Sequence, residues 1–313
     1  MTSSSISELF RVDGLVALIT GGGSGEASNR QYHILHTPHG WALIPLGIGL
    51  MMTKALALNG ASKVYITGRR KEVLDQAAKQ SPHGNIIPLV ADISRKEDIE
   101  ALADHIRKDV GHLNLLVANA GIWGPGPDHP LGTSLQDVQA EAMSTMMGEW
   151  DECFRTNVHG CYYSIMAVLD LLDKGNKRKN YCNGEVKSQV IVTGSVGGHS
   201  RIVGGRNAYR ASKAAVTHLA KCLATGFQEF GIRVNTLAPG LFPSELAAPL
   251  IEKYNGFADE DGKIDRHSLP EERSGTEEDI TGTVLYLVSR AGAYNNGNEC
   301  VLDGGMVSVM PAS

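Results

Sequence analysis

The sequence predicts an α/β protein, a single doubly wound domain built around a parallel sheet. Two observations predict it. Short, near-continuously apolar runs alternate with longer helical patterns along almost all 313 residues, and no linker-like stretch divides them. A third observation locates the ligand end: glycines cluster directly after the first run, and such sheets bind ligands at the carboxyl ends of their strands.

Leu15–Thr20 (LVALIT) reads as the first strand, and 50–61 as the helix behind the glycines. Lys63–Gly68 (KVYITG) is the second strand and 85–91 the third, followed by a helix at 94–110. Strands at 114–118, 189–193, 233–237 and 299–302 follow, with helices at 150–174 and 209–230 between them. Two stretches are less regular. Residues 125–147 form a long Pro- and Gly-containing connection before a helix, and 174–187 (KGNKRKNYCNGEVK) reads as a polar, basic, solvated excursion.

Composition excludes several function classes. Hydrophobic residues make up 42% and charged residues 20%, as in an ordinary soluble domain. A formal charge of −5 argues against nucleic acid as the main partner. The five cysteines (Cys153, Cys161, Cys182, Cys222, Cys300) form no C-x-x-C pair, which points to a reducing compartment rather than a disulfide framework. The first residues lack an apolar signal core, and the longest apolar stretch, Trp41 to Met52, is too short to span a bilayer. A cytoplasmic protein without membrane association is expected.

The chemistry-bearing residues cluster by pattern. Thr20-Gly21-Gly22-Gly23-Ser24-Gly25 breaks off and resumes at Gly47-Ile48-Gly49. Rejoined, these residues form a turn between a buried strand and a helix, whose unpaired amides suit a dinucleotide's phosphates. Tyr209-x-x-x-Lys213 places a phenol and an ammonium on one helix face. The ammonium is expected to draw the tyrosine pKa down from about 10 and fit it for proton exchange with a carbonyl or alcohol; the alternative is a surface pair. Ser195 follows the strand QVIVT and reads either as a substrate-oxygen donor or as a turn serine. Asn157 lies within a helical pattern, where asparagine is a poor former, so it has either a polar role or a backbone-satisfied side chain.

Taken together, TGGGSG…IG, Asp92, Asn119-Ala120-Gly121, Asn157, Ser195, Tyr209-x-x-x-Lys213 and Pro239-Gly240 occur in the order of the short-chain dehydrogenase/reductase family. The chain resembles that family over about residues 13–305, and within it the 3-oxoacyl-carrier-protein-reductase-like branch in fungi. The resemblance implies a single Rossmann-type domain over 1–313 with a seven-stranded parallel sheet. It implies an Asn157-Ser195-Tyr209-Lys213 catalytic tetrad: Tyr209 as acid and base, Lys213 lowering its pKa and holding the nicotinamide ribose, Ser195 orienting the carbonyl, Asn157 anchoring a relay water. Asp92 would contact the adenine, and Asn119, Ala120 and Gly121 would line the cofactor site. Pro239, Gly240 and Ser244 would lie near the nicotinamide, with serine replacing the usual threonine. A homodimer or homotetramer and a role in secondary or fatty-acid-like metabolism are implied in the same way. Substrate shape would be set by 125–147 and by the segment from Pro239 to about Pro270.

NAD-selecting folds place a carboxylate at the end of the second strand. Gly68 stands there instead, followed by Arg69 and Arg70. With guanidinium groups available, a 2′-phosphate is favoured, so NADP(H) is expected over NAD(H); the alternative has both arginines merely opening a surface helix. The expected activity is hydride transfer between a ketone and a secondary alcohol. The rival from another class is a non-catalytic dinucleotide-binding sensor, or an inactive product.

That rival arises from residues 26–47 (EASNRQYHILHTPHGWALIPLG), which show neither helical period nor strand alternation. His33, His36 and His39 recur at every third position, but no carboxylate or cysteine cluster supports a metal site, and none is expected. Gly25-Glu26 permits the splice donor GTGAG, Leu46-Gly47 an AG acceptor, and Ala42-Leu43-Ile44 a branch-point-like CTAAT. The segment is therefore read as a translated short intron, the alternative being a genuine loop insertion. Either way it separates the glycine turn from its helix in sequence. The ends can still meet, since loop closure costs only slowly more with length, but the inserted chain must leave the phosphate pocket empty, and weaker NADPH binding than in a version lacking 26–47 is expected.

Overall fold

The computed structural model describes residues 5–23, 34–37, 40–43, 47–126, 132–202, 206–248, 250–251 and 262–313. Strands β1 (Val16–Thr20), β4 (Lys63–Gly68), β5 (Ile86–Val90), β6 (Leu115–Ala118), β7 (Gln189–Thr193), β8 (Arg233–Pro239) and β9 (Glu299–Leu302) form one seven-stranded sheet in the order β5-β4-β1-β6-β7-β8-β9. Every pairing in it is parallel. The chain moves outward from β1 through β4 to β5, then returns to place β6 on the other side of β1. That reversal opens a crevice at the carboxyl ends of β1 and β6.

Alternation along the strands divides the core between two faces. Ala17, Ile19, Val64, Ile66, Leu115 and Val117 point to one face. There they meet Leu50, Met51 and Leu56 of α2 (Ile48–Ala57) and Val284 and Leu287 of α10 (Glu277–Val288). Val16, Leu18, Leu116, Val190 and Val192 point to the other. They pack on Ile106 of α4 (Lys96–Asp109), Ile165 of α7 (Cys161–Ala167) and Val216 and Ala220 of α9 (Asn207–Gly226). Burial on both faces explains why these strands read as unbroken apolar runs.

Several elements differ from expectation. The helix expected at 150–174 is divided: α6 (Met147–Phe154) runs into a π turn at Arg155–Gly160, then α7, then a break at Val168 before α8 (Leu169–Arg178). Gly160 explains part of this, because any side chain there would meet Ile93. The connection before α6 contains α5 (Leu135–Ser144), capped by Ser134 on the amide of Asp137, and none of its residues is buried. The 174–187 stretch is not simply solvated. Asn180 Nδ2 donates to the Gly14 carbonyl at 2.7 Å, and the buried Tyr181 hydroxyl donates to the Val288 carbonyl. Polar composition concealed two inward-facing side chains.

Residues 26–47 also depart from their expected irregularity. Strands β2 (Ile34–Thr37) and β3 (Gly40–Leu43) form a separate antiparallel hairpin with Thr37 opposite Gly40. Pro38 and Gly40 are turn formers, and the flanking ILHT and GWAL are strand-compatible. The helix is not displaced from the glycine turn. Thr53 Oγ donates to the Gly22 carbonyl at 3.2 Å, and a Cβ added to Gly49 would overlap the Gly21 carbonyl oxygen. Gly21 itself has φ +67°, a left-handed conformation that favours glycine. Among the described residues no helix is long and apolar enough to cross a membrane.

Gly49→Ala tests this docking. Better helix propensity favours alanine by about 1 kcal/mol, but overlap with backbone typically costs about 1–3 kcal/mol and cannot be relieved by a rotamer change. Net destabilisation is expected as a lower urea midpoint at unchanged slope; an unchanged or higher midpoint would show that α2 sits loosely on the turn.

Candidate active site

Thr20 ends β1, and its Oγ1 accepts from the amides of Asn119 (3.0 Å) and Ala120 (3.1 Å). Asn119 Nδ2 returns to the carbonyls of Thr20 (3.0 Å) and Gly21 (3.3 Å). The ends of β1 and β6 are thereby tied together beneath the crevice. Ile48 and Gly49 open α2 at the same place, with the first-turn amides that lack an intrahelical acceptor. Ser24 and Gly25 lie outside the described residues.

The expected tetrad converges at the carboxyl ends of β6 and β7. The Tyr209 phenol stands beside Ser195, which lies two residues beyond β7: a Cβ added to Gly197 would be 3.2 Å from both Ser195 Oγ and Tyr209 Cε1. Ser195 Oγ accepts from the Gly197 amide at 3.0 Å, so it is both a turn cap and a neighbour of the phenol. Lys213 Nζ donates to the Thr193 carbonyl at 2.7 Å and stands 5.7 Å from the Tyr209 ring centroid. Gly121 lies between, close enough that an added Cβ would be 3.1 Å from Asn157 Oδ1 and 3.5 Å from Lys213 Nζ.

Asn157 sits in the π turn and is buried. Its Oδ1 accepts from the Ile122 amide at 2.8 Å, and its Nδ2 donates to the Ile122 carbonyl (3.0 Å) and Ser212 Oγ (2.9 Å). These partners occupy the side chain, which clamps the Ile122 backbone.

Burial dominates the electrostatics of the pair. Burial pushes Tyr209 up to about 12; the Ser195 hydrogen bond opposes this and Cys153 adds to it. Burial pulls Lys213 down to about 8, with Cys161 and Cys153 opposing. The ammonium engages a backbone carbonyl, and burial sets the net direction of the tyrosine's shift.

At the adenosine end, Asp92 Oδ1 accepts from the amide and hydroxyl of Ser94 at 2.9 and 2.7 Å, which fixes the carboxylate after β5. Arg69 and Arg70 follow β4. Arg70 Nη2 is paired with Glu245 Oε2 at 3.2 Å, and Arg69 also has an interaction, so neither guanidinium is simply available. Gly240, next to Pro239 at the end of β8, donates to the Leu302 carbonyl at 2.9 Å. Ser244 Oγ accepts from the Ala247 amide at 3.0 Å, closing a tight turn.

Two residues of this region escaped sequence reasoning. Trp123 stacks on Tyr209 with ring centroids 4.3 Å apart and planes at 58°, and its Nε1 donates to the Leu246 carbonyl at 2.5 Å. The Arg206 guanidinium lies 5.0 Å above the same indole. Glu245, beside Ser244, is the second. Their only signal was proximity in sequence to Gly121 and Ser244.

A dinucleotide fits these residues. The turn and α2 approach so closely that only glycine is accommodated at 49, and the hydroxyls of Thr67 and Thr193, buried at the carboxyl ends of β4 and β7, have no partner.

A family profile described as enoyl-(acyl carrier protein) reductase matches residues 43–307. The chain is 45% identical over 308 residues to the short-chain dehydrogenase/reductase PhomF of Diaporthe leptostromiformis, covering 98% of this chain and 96% of that one. It is 28% identical over 298 residues to a rhamnolipids biosynthesis 3-oxoacyl-[acyl-carrier-protein] reductase of Pseudomonas aeruginosa, covering 95% and 97%. Among solved structures it is similar to a Pseudomonas aeruginosa RhlG/NADP active-site complex, with a TM-score of 0.72, 28% identity, and coverage of 96% and 98%.

The buried lysine gives a pH signature in the cofactor-free protein. Because its folded pKa lies below the ordinary 10.5, the unfolded chain holds more protons between about pH 8 and 10.5, and stability contributed by this group rises with pH across that window. Tyr209, raised above 10, acts oppositely above pH 10. Lys213→Met should be more stable than wild type at pH 7, with the gap in thermal midpoint closing toward pH 10; a gap independent of pH would refute the buried charge.

Proposed function

The chain belongs to the short-chain dehydrogenase/reductase family, and on that premise we propose that it interconverts a ketone and a secondary alcohol by NADP(H)-dependent hydride transfer. The observation that carries this reading is the Tyr209–Ser195 hydroxyl pair held beside a buried Lys213 at the mouth of the strand ends. The bound nicotinamide supplies or accepts the hydride. Everything else falls to the protein.

A carbonyl oxygen between the two hydroxyls would take one hydrogen bond from each. Burial keeps Tyr209 protonated, which is the form required of an acid in reduction. The developing alkoxide is a stronger base than phenolate, so proton transfer to it is favourable even from a raised phenol. Ser195, fixed by the Gly197 amide, stabilises the growing negative charge. Lys213 holds a positive charge 5.7 Å from the centre of the phenol ring and would meet the nicotinamide ribose. Asn157 is a positioning residue: by clamping Ile122 it sets Gly121 between itself and Lys213. Trp123 packs against the Tyr209 ring at a tilt of 58° and helps hold its position.

Preference for NADP(H) is supported by Gly68, Arg69 and Arg70 after β4 and by the NADP named in the similar RhlG complex. Thr20, Gly21, Ile48, Gly49, Asp92, Asn119, Ala120, Gly121, Pro239, Gly240 and Ser244 are the proposed cofactor contacts, with Ser24 and Gly25 proposed from sequence. The exposed Trp150, Tyr162 and Tyr163 along α6 and α7 support a homodimer or homotetramer. A cytoplasmic location is proposed, as is a biosynthetic role; the latter rests on the P. aeruginosa relative. Residues 26–47 are proposed to be an addition, intron-derived, to an otherwise complete site, since Gly21 and Gly49 meet across it. Transcript sequencing that finds the segment in every mature message of an active protein would overturn the intron origin.

Two outcomes test the function. Tyr209→Phe should lower NADPH-dependent turnover on a ketone panel by about 10²–10⁴-fold while leaving the NADPH dissociation constant nearly unchanged. Retained turnover would remove Tyr209 from the chemistry, and cofactor binding without turnover in wild type would favour the sensor. Deleting 26–47 should tighten NADPH binding measured by fluorescence titration; equal constants would show that the segment leaves the phosphate turn unobstructed.

A further inference from the structure

Residues 244–247 form a short strap whose two central members are fastened to opposite sides of the crevice. Glu245 accepts from Arg70, which follows β4, and the carbonyl of Leu246 accepts from Trp123, which follows β6. β4 and β6 flank β1 in the sheet, so their ends stand about 10 Å apart. The strap therefore crosses above the end of β1, whose turn at Gly21–Gly23 is the proposed phosphate site. Its root is firm. Leu241 and Phe242 are buried, and the Leu241 carbonyl accepts from the Gly275 amide at 2.9 Å. Its tip is wound tight by Ser244, which accepts the Ala247 amide.

Arg70 is one of two arginines standing where an NAD-selecting fold would place a carboxylate. Here the carboxylate comes from the strap. A carboxylate and a phosphate monoester are the same kind of ligand for a guanidinium: planar or tetrahedral anions that accept two parallel N–H bonds. Only one can hold the Arg70 Nη2 edge at a time.

We infer that Glu245 occupies on Arg70 the place of a cofactor's 2′-phosphate, so that a 2′-phosphate must displace it and thereby frees one end of the strap. A cofactor with a bare 2′-hydroxyl leaves the pair closed. The inference rests on the dinucleotide reading above, but it adds a residue from a distant segment to cofactor discrimination and couples the adenosine end to the loop over Tyr209. The Arg70 and Glu245 side chains are 36% and 25% exposed, so the competition is worth no more than an ordinary half-exposed ion pair. That corresponds to about threefold to fivefold in a dissociation constant.

The experiment uses the full chain and two probes without nicotinamide, adenosine 2′,5′-bisphosphate and 5′-AMP, titrated by calorimetry. Glu245→Gln should tighten the bisphosphate about threefold to fivefold and leave AMP unchanged. In an Arg70→Ala background the same change should have no effect. An unchanged ratio between the probes in Glu245→Gln, or equal tightening of both, would overturn the inference, and weaker AMP binding would instead make Glu245 a ribose ligand. Failure of the NADP(H) reading shows separately, as wild type binding AMP as tightly as the bisphosphate. If Glu245→Gln then still raises the ratio, masking by Glu245 stands on its own.

Discussion

The contact on which this site depends is between two backbones. Gly49, in the first turn of α2, lies against the carbonyl of Gly21, and Asn119 bonds the same carbonyl from the end of β6. Three segments distant in sequence thus meet with almost no side-chain volume between them. Thr20 reinforces the junction by accepting both following amides, Asn119 and Ala120. The rest of the crevice is measured from this point: β4 and its arginines on one side, β6, Gly121 and the hydroxyl pair on the other. Nothing bulkier than glycine fits at 49, so the junction also fixes how near an anion can come to the helix amides.

Beyond that junction the site is costly to build. A lysine and a tyrosine are both buried, and burial moves each toward its neutral form, Lys213 down to about 8 and Tyr209 up to about 12. Desolvation outweighs the mutual influence expected from helical spacing alone, because the ammonium engages the Thr193 carbonyl and lies 5.7 Å from the ring centre. In a protein of this size, where total stability is about 5–15 kcal/mol, such a concentration of dehydrated polar groups has to be supported by the two apolar faces of the sheet. The arrangement suits the proposed role of Tyr209, an acid that keeps its proton until an alkoxide is there to take it.

Much of the architecture was legible in the sequence, for a definite reason. The interior strands β1, β6, β7 and β8 are buried throughout and so are apolar runs, while the edge strands β5 and β9, only partly buried, were marked by their β-branched residues and spacing. The motif residues were legible because backbone geometry and chemistry leave few choices: glycine at the turn, Tyr and Lys one helical turn apart, Ser at a strand's end. What escaped notice depends on tertiary partners. The π turn that carries Asn157 has an ordinary helical sequence, and the close approach of Gly160 to Ile93 is visible only in the fold. Asn157 also holds the Ile122 backbone, a contact the sequence does not show because Ile122 is its neighbour only in space. Trp123 and Glu245 carried no periodic signal at all, and α5 has no buried face to generate one. Polar composition similarly misrepresented 174–187, where single inward side chains, Asn180 and Tyr181, do the fastening.

The hydrogen-bonded position of β1 has one more consequence. It sits mid-sheet, paired along its whole length with β4 and over three residues with β6, and α2 reaches the same turn through its own contacts with Gly21 and Gly22. The two sides of the 24–46 stretch are therefore held by the sheet and the core, not by peptide continuity. A nick anywhere in that stretch would yield a heterodimer of fragments, a small piece contributing the central strand and a large piece contributing everything else. The proposed phosphate site would then lie at a seam between two chains, with Gly21 on one and Gly49 on the other.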